Sequence, residues 1–482
     1  MNLSRRRLIS ASAAGFAFNG LARLAGAQPL PAPKMDAASV QADRYLNEVQ
    51  GYGPLKTDPR GLFDLPEGFD YTIVSRAGEP MGDGLLTPHK MDGMACFPVD
   101  THRVVLMRNH ELKLPDLDLA AYGKGQTLAS RIDPAMAYDR TLDGALLPGG
   151  VTRVTYDLRA RRTLDQHLAL AGTMVNCAGG STPWGSWLTC EEVLKTAGDG
   201  VKKSHGWVFE VPSRAKGLAD PIPLTGLGRF RHEAACIDPR TGVVYMTEDD
   251  PTGQGLLYRF LPDDRTTLAR GGRLQALGFK DQPGGGDSRN WSGTTWTQGQ
   301  TRQAVWIDLD GVDNPHEDLH SRGHANGAAW FARGEGIFFG AGAVFIACTN
   351  GGPGRNGQIM RYVPSPKEGQ PGETGVPATI QLFVESHERA LMDMCDNIAV
   401  SPWGHLIVCE DKIGGVNYLK AVTPQGKLYT LARNAQLGGG DVAANSELAG
   451  VCFSPDGTTL FVNIYFPGMT LAITGPWSHF KA

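Results

Sequence analysis

One hairpin-like unit of about 20 residues recurs six times along the sequence and limits what the chain can fold into. Each copy opens on a polar, usually acidic residue, continues through two apolar segments separated by a turn, and closes on an acid or an amide. Turns such as Pro239-Arg240-Thr241-Gly242 and Pro455-Asp456-Gly457 are typical of β-hairpins. The six copies span 92–111, 177–192, 233–249, 335–350, 396–411 and 447–463.

This repetition predicts an all-β fold, a six-bladed β-propeller with about four strands in each blade. The spacing between copies is uneven, so we expect long inter-blade insertions, the largest at about 113–149 and 262–330.

The ends of the hairpins indicate where a functional site would lie. A hairpin returns to the edge that it left, so the opening and closing residues of each copy share one end of a sheet. If the first strand is innermost, the opening residues line a central channel, and the closing residues form a second tier at its mouth. The opening residues are Asp92, Cys177, Glu233, Glu335, Asp396 and Glu447. The closing residues are Glu111, Glu192, Glu248, Asn350, Glu410 or Asp411, and Asn463.

Carboxylates that converge on one channel raise one another's pKa values and oppose folding unless cations neutralise them. Oxygen ligands suit Ca²⁺ or Mg²⁺, whereas the thiolate of Cys177 favours a transition metal such as Fe or Zn. The pattern therefore predicts a mixed metal cluster, with the alternative that the acids only satisfy turn amides. His232 is either a ligand, a support for one, or a core histidine. Arg333 would bind an oxyanion such as phosphate or pair with the acidic ring.

The N-terminus reads as an export signal. Residues 4–9 (Ser-Arg-Arg-Arg-Leu-Ile) match a twin-arginine signature, and residues 25–27 (Ala-Gly-Ala) match a cleavage site. We therefore expect a signal peptide over 1–27, an extended arm over 28–60 and one propeller domain over 61–482. These features predict passage through the twin-arginine translocase and a periplasmic or secreted location.

Composition excludes two other roles. With 46 Lys+Arg against 50 Asp+Glu and no basic block, the chain is not suited to nucleic acid. Downstream of the N-terminus no apolar run reaches the ~18 residues of a spanning helix, so stable membrane insertion is not expected.

Most of the eight cysteines lie in apolar segments, which favours unpaired, buried thiols over disulfides.

Several longer motifs resemble the PhoX-type alkaline phosphatases. The most specific is the string NCAGGSTPWGSWLTCEE, which runs from Asn176 to Glu192. The others are Arg231-His232-Glu233-Ala234, Arg333-Gly334-Glu335-Gly336, Asp396-Asn397 followed by Pro402-x-Gly404, and Phe453-Ser454-Pro455-Asp456-Gly457 through Asn463. The resemblance implies a six-bladed propeller that holds Fe³⁺ and Ca²⁺ and hydrolyses small phosphomonoesters.

The resemblance also implies roles for individual residues. Cys177 would ligate iron, and Glu192, Glu248, Glu335 and Glu447 would be metal ligands, with Asp411 as a second choice for the last. Arg333 and Glu335 would form the catalytic pair. Glu233 is also predicted to be a metal ligand, because it is one of the opening residues expected to line the channel.

Two other functions remain open on the sequence alone. One is a related propeller hydrolase that acts on phosphodiesters, phosphotriesters or lactones. The other is a non-catalytic periplasmic propeller that binds Ca²⁺, although such a site has no need of the thiolate of Cys177.

Overall fold

The computed structural model describes residues 45–412, 415–436 and 446–482 of the chain. The predicted signal peptide, 1–27, and residues 28–44 of the predicted arm lie outside the described residues. Within the described part, regular structure is almost entirely antiparallel β-sheet, as the hairpin pattern predicts.

In chain order, the strands of the described residues are β1 (Leu55–Lys56), β2 (Phe63–Pro66), β3 (Asp70–Arg76), β4 (Met91–Pro98), β5 (Arg103–His110), β6 (Gly149–Asp157), β7 (Arg162–Thr173), β8 (Asn176–Ser181), β9 (Ser186–Glu191), β10 (Val208–Pro212), β11 (His232–Ile237), β12 (Val244–Glu248), β13 (Leu257–Pro262), β14 (Gly272–Phe279), β15 (Thr301–Asp308), β16 (Gly334–Gly340), β17 (Ala343–Cys348), β18 (Gln358–Val363), β19 (Thr379–Glu385), β20 (Cys395–Val400), β21 (Leu406–Glu410), β22 (Tyr418–Val422), β23 (Leu428–Asn434), β24 (Leu448–Phe453), β25 (Thr459–Ile464) and β26 (Met469–Thr474).

Helical structure is confined to one short α-helix, α1 (Leu319–Ala325), and single 3₁₀ turns among the described residues. The 3₁₀ segments are Leu114–Leu119, Lys124–Gln126, Ala129–Arg131, Pro134–Met136, Thr225–Leu227, Leu268–Arg270, Glu373–Gly375 and Trp477–His479. Across the described ranges, no helix is both long enough and apolar enough to cross a membrane.

The strands form a propeller-like arrangement of separate sheets. Two sheets have four strands, in the orders β4-β5-β6-β7 and β24-β25-β26-β3. One has three, β10-β9-β8, and one has six, β1-β2-β23-β22-β21-β20. The largest has nine, β11-β12-β13-β14-β15-β19-β18-β17-β16, so two antiparallel runs of four strands are linked through β15.

The first strands of the six hairpins form a closed cycle of contacts: β4, β8, β11, β16, β20, β24 and back to β4. Strand β3 pairs along its whole length with β26, which lies about 400 residues later in the chain. The cycle sets six equivalent strand ends around one axis, which is the geometry that the hairpin argument requires.

Apolar clusters fill the spaces between sheets. One packs Ile407 and Leu419 against Leu460 and Leu471, all fully buried, and so joins two neighbouring sheets. All eight cysteines are free and seven are buried, in line with the expectation from their apolar surroundings.

Candidate metal centre and active site

Each of the six hairpins has a β-bulge in its first strand, where two residues face one on the partner strand. The bulges lie between Met91 and Met94, Asn176 and Gly179, His232 and Ala235, Gly334 and Ile337, Cys395 and Ile398, and Ala449 and Cys452. The first residues inside them are Asp92, Cys177, Glu233, Glu335, Asp396 and Gly450. Bulges redirect side chains, and here five of the six bulges carry a polar side chain to the same level of the axis.

Neighbouring first strands approach one another closely at this level. A Cβ added to Gly336, the residue after Glu335, would lie 2.6 Å from the carbonyl oxygen of Asp396. One added to Gly93 would lie 2.4 Å from the Cα of Ala178. The glycines that follow Asp92 and Glu335 therefore allow neighbouring first strands to approach this closely.

In five of the six hairpins, one backbone hydrogen bond positions the residue after the second strand, which is an acid in four of them and Thr349 in the fifth. The amide after the second strand donates to the carbonyl of the residue two positions before the bulged one. These pairs are Glu111 to Lys90 at 3.0 Å, Glu192 to Val175 at 2.9 Å, Asp249 to Arg231 at 3.2 Å, Thr349 to Arg333 at 3.0 Å and Asp411 to Met394 at 2.9 Å. Four of the five acceptor residues have φ between 48° and 57°, a conformation that costs energy outside glycine and often marks functional sites.

The two tiers converge into four overlapping groups. In each group the ligand atoms lie within 4.8 Å of one another. The groups are Cys177, Glu192 and Glu233; Asp92, Glu111 and Glu447; Glu233, Glu335 and Asp396; and Asp396, Asp411 and Glu447. Because Glu233, Asp396 and Glu447 are shared between groups, the eight carboxylates and one thiol form a single continuous cluster.

Two carboxylates of this cluster have buried oxygens without the protein partners that buried acids normally have. Both side-chain oxygens of Glu233 and Oδ1 of Asp92 are buried without a hydrogen-bond partner. Burial first, and then the charges of Glu335 and Asp396, raise the pKa of Glu233 well above its ordinary value. Burial together with the charge of Asp411 raises the pKa of Asp396 to about 8.

The thiol of Cys177 belongs to the same environment. Its Sγ lies 3.5 Å from Oδ2 of Asp92, and the side chain is buried. Burial and then the charge of Asp92 raise the pKa of the thiol. A thiolate here would need a cation beside it, since the surrounding protein groups are acids.

Arg333 is a cation in direct contact with the cluster. Its Nη2 lies 2.6 Å from Oδ2 of Asp249 and 3.1 Å from Oε1 of Glu335, and its Nε donates to Oδ1 of Asp249 at 2.9 Å. Burial alone would lower the pKa of Arg333, but the charges of Asp249 and Glu335 raise it. The sequence left open an oxyanion ligand or a pairing with the acidic ring, and the structure contains the ion pair.

Lysines support one edge of the ring. Lys113 Nζ lies 2.7 Å from Oε1 of Glu111, whose carboxylate also accepts a hydrogen bond from the hydroxyl of Tyr465. Although burial raises the pKa of Glu111, the charges of Lys113 and Lys90 lower it. Glu111 is therefore the member of its group that is most readily ionised.

Glu248 differs from the prediction, because it points away from the cluster. Its Oε2 accepts hydrogen bonds from the hydroxyl of Tyr258 at 2.7 Å and the amide of Leu256 at 3.1 Å, and its Oε1 lies 3.5 Å from Nδ1 of His320. The physical reason is strand alternation: Glu248 ends β12 facing its own sheet, so the next residue, Asp249, faces the axis.

The same division recurs in two other acidic doublets. Glu191 accepts hydrogen bonds from the amides of Met174 and Gly206, and Glu410 accepts them from the amides of Asp393 and Tyr418. The following acids, Glu192 and Asp411, join the cluster. Alignment of the doublets Glu191-Glu192, Glu248-Asp249 and Glu410-Asp411 is the signal that would have identified Asp249.

The structure brings together six of the seven predicted metal ligands: Cys177, Glu192, Glu233, Glu335, Asp411 and Glu447. Asp92, Asp396 and Glu111, which the hairpin argument placed in the two tiers, belong to the same cluster. His232 does not, since its Nε2 bonds the carbonyl of Gly228 at 2.8 Å and its ring stacks on Phe230. Burial lowers the pKa of His232 to about 3, so it is a neutral core histidine.

Behind the cluster, the central channel contains a cavity of about 420 Å³. Its walls are later residues of the same six first strands, including Ala95, Cys236, Ile337, Val400 and Val451. Polar ligands are therefore concentrated at one end of the channel, and mainly apolar side chains line the interior beyond them.

Comparison with known proteins adds four findings. A family model described as "Alkaline phosphatase PhoX" matches residues 50–468. The solved structure of Pseudomonas fluorescens PhoX in complex with vanadate, a transition state analogue, superposes with a TM-score of 0.63 at 19% identity, covering 90% of this chain and 97% of that one. A gluconolactonase from Xanthomonas campestris aligns with a TM-score of 0.37 at 12% identity, covering 84% and 98%. No curated protein matches by sequence.

Proposed function

Because this chain belongs to the PhoX alkaline phosphatase family, we propose that it is a metal-dependent phosphomonoester hydrolase that acts at the acidic mouth of the channel. The observation that carries the proposal is the convergence of eight carboxylates and one thiol beside the guanidinium of Arg333. Family membership supports phosphatase chemistry. The donor set supports bound cations, and the arginine supports an anionic substrate.

The residues present fit Fe³⁺ and Ca²⁺. The unpartnered oxygens of Glu233 and Asp92 are buried acceptors with no protein donor. A bound cation would satisfy them. The group with the soft sulfur, Cys177 with Glu192 and Glu233, would hold iron. The three groups that offer only oxygen suit calcium, which accepts many carboxylate ligands.

Bound in this way, the cations would act as Lewis acids toward the phosphoryl oxygens and offset the negative charge of the ester. The protein supplies the orientation. Asp249 accepts hydrogen bonds from Nε and Nη2 of Arg333 and so fixes the guanidinium plane. In that orientation Nη1 can donate to a phosphoryl oxygen. Such a donor stabilises the charge that spreads over the equatorial oxygens in the transition state. Glu335 holds the same guanidinium from the ring side.

We also infer that the propeller has six blades. The nine-stranded sheet consists of two four-stranded runs, β11–β14 and β16–β19, each of which begins on a bulged first strand. The closed cycle of six first strands supports the same count. In this interpretation β15 is an inter-blade insertion that bridges two blades.

The location follows from the N-terminal sequence. We propose that the twin-arginine translocase exports the folded protein to the periplasm or beyond. Loading of the cluster before export would explain that route, because every ligand group draws on at least two different hairpins, which meet only after folding.

Two measurements test the proposal. Elemental analysis of protein purified without chelator should give both iron and calcium. Hydrolysis of p-nitrophenyl phosphate should exceed that of bis(p-nitrophenyl) phosphate, a triester and a lactone. Calcium without iron, together with no hydrolysis of any ester, would support a non-catalytic propeller instead. Faster turnover of the diester, the triester or the lactone would move the substrate class away from monoesters.

A further inference from the structure

Three loops meet beside Arg333, just outside the acidic cluster. One is the turn 249–256 after β12, the second is part of the long insertion, 283–296, and the third is 349–357 after β17. Trp291 of the insertion donates its Nε1 to the carbonyl of Asn350 at 2.8 Å. Arg289 donates its Nη1 to the carbonyl of Gly253 at 3.2 Å. These contacts fix the insertion to both of the other loops.

The third loop lies at the mouth itself. At its start, the amide of Thr349 bonds the carbonyl of Arg333, and near its end the carbonyl of Asn356 accepts from the amide of Met394 at 2.9 Å. Arg333 and Met394 each precede a bulged acid of the ring by two residues. The loop therefore crosses from one hairpin to the next along the rim, with Arg355 exposed at its tip.

Two arginines and a tryptophan form the centre of this loop cluster. The guanidinium carbon of Arg355 lies 3.6 Å from the centroid of the Trp291 ring, and that of Arg289 lies 4.6 Å from it. Arg289 is neutralised by Asp287, with contacts of 2.8 Å and 2.6 Å. Arg355 has no ion pair or side-chain hydrogen bond with any residue that the structure describes. The cluster thus keeps one positive charge that protein groups do not satisfy.

The way in which Arg355 is held leaves it able to bind an anion. Stacking uses the face of a guanidinium, while its N–H donors point outward in the plane. Those donors match the geometry of a carboxylate or phosphate, which accepts two parallel hydrogen bonds. These unsatisfied donors lie one loop outward from Arg333.

Resting on the proposed function, we propose that Arg355, held on Trp291, binds a second anionic group on the organic part of the phosphomonoester. The preferred substrates would carry a carboxylate or a further phosphate in addition to the phosphoryl group that is transferred. The long insertion, which supplies Trp291 and Arg289, then acts as the specificity element of this chain.

Binding of inert phosphonates tests this without turnover, because a C–P bond is not cleaved by ester hydrolysis. Calorimetry on the metal-loaded protein would compare phosphonoacetate, 3-phosphonopropionate and 6-phosphonohexanoate with the alkylphosphonates in which methyl replaces the carboxylate. At one or more lengths, the carboxylate should tighten binding about tenfold, as expected of one charge-assisted hydrogen-bonded pair. Arg355→Gln should abolish that gain.

Matched variants separate the site from general charge effects. Arg159→Gln removes the same charge from an exposed turn between β6 and β7 and should keep the gain. Trp291→Leu should reduce it, since Arg355 loses its stacking partner. If no length shows a carboxylate gain, or if the gain survives Arg355→Gln, the proposed subsite is wrong.

Turnover distinguishes this inference from the proposed function. The ratio of kcat/KM for 3-phosphoglycerate over glycerol 3-phosphate should fall about tenfold in Arg355→Gln and stay constant in Arg159→Gln. If no ester is hydrolysed but the phosphonate gain persists, the hydrolase proposal fails and the subsite stands. If esters are hydrolysed and the ratio is unaltered by Arg355→Gln, the subsite fails and the hydrolase proposal stands.

Discussion

The carboxylate of Asp249 accepts two parallel hydrogen bonds from the guanidinium of Arg333, from Nε at 2.9 Å and from Nη2 at 2.6 Å. The two residues come from neighbouring hairpins and meet beside the ring. Asp249 is half of an acidic doublet whose other half, Glu248, faces the opposite way. Adjacent residues in the chain thus have different roles.

This relationship gives a paired prediction. Asp249→Asn should lower kcat/KM for phosphomonoesters about 10- to 100-fold, the usual effect of loosening a group that orients a ligand-binding residue. Glu248→Gln should leave kcat/KM within a few-fold and lower the thermal midpoint, because it disturbs the buried hydrogen bonds to Tyr258 and Leu256. Steady-state kinetics and calorimetry on both variants check this. A large loss of kcat/KM in Glu248→Gln with little loss in Asp249→Asn would instead indicate that Glu248 belongs to the active site.

Loss of the Cys177 thiol should remove bound iron and leave bound calcium in place. Cys177→Ser removes the soft ligand from one group and leaves the three oxygen-only groups intact. We expect iron content to fall to background, calcium to remain, and p-nitrophenyl phosphate hydrolysis to be lost. Cys96→Ser, in a half-buried cysteine of β4, is the matched control. Unchanged iron in Cys177→Ser would remove the sulfur from the metal centre.

Removal of cations should cost stability because like charges converge in a buried ring. Chelation should lower the thermal midpoint, and added calcium should restore it, since a ligand at 100 times its Kd contributes about 3 kcal/mol. Glu233→Gln tests the same explanation from the protein side, because it removes one negative charge whose two carboxylate oxygens have no partner. It should be more stable than wild type in chelator and less stable in calcium. Equal midpoints with and without chelator would argue against bound cations.

His205 should give the fold a pH dependence. Its Nδ1 lies 2.8 Å from Glu191 and its Nε2 lies 3.2 Å from Asp139, with the ring fully buried. Burial lowers its pKa, but the two carboxylates raise it to about 9, against about 6.5 in an unfolded chain. The extra stability is therefore complete below about pH 6.5 and is lost as pH rises through about 9.

The measurement is urea unfolding at about pH 6 and at about pH 9.5. Wild type should lose a few kcal/mol more than His205→Gln over that interval. His102→Gln, at an exposed position, should behave like wild type. If His205→Gln shows the full wild-type pH dependence, the imidazolium is not its source.

Local patterns predicted a large part of this molecule. Alternating apolar segments and Pro/Gly turns predicted antiparallel hairpins, since those signals depend only on neighbouring residues. The return of a hairpin to its starting edge predicted that Cys177, Glu233 and Glu335 would meet. Both expectations agree with the strand pairing and with the clustering of these side chains.

Other features could not be read from the same patterns. The sequence offers two adjacent acids at 248 and 249, and only the phase of strand alternation relative to the axis decides which one faces Arg333. Glu447 precedes β24, and the bulge of that strand falls at Gly450, so the sixth hairpin reaches the cluster from a loop. The contact of Trp291 with Arg355 joins an insertion to a rim loop about 60 residues away in the chain.

The sequence by itself determined the repeating hairpins, the residue types that open and close them, and hence the chemistry that a shared channel would hold. Only the tertiary structure decided which acid of each doublet turns inward, that Arg333 is held by Asp249, and that Arg355 is left without an acidic partner among the described residues. The reason is physical: secondary structure follows from interactions along the chain, whereas the direction of a side chain at a bulge or loop follows from packing between strands that are distant in sequence.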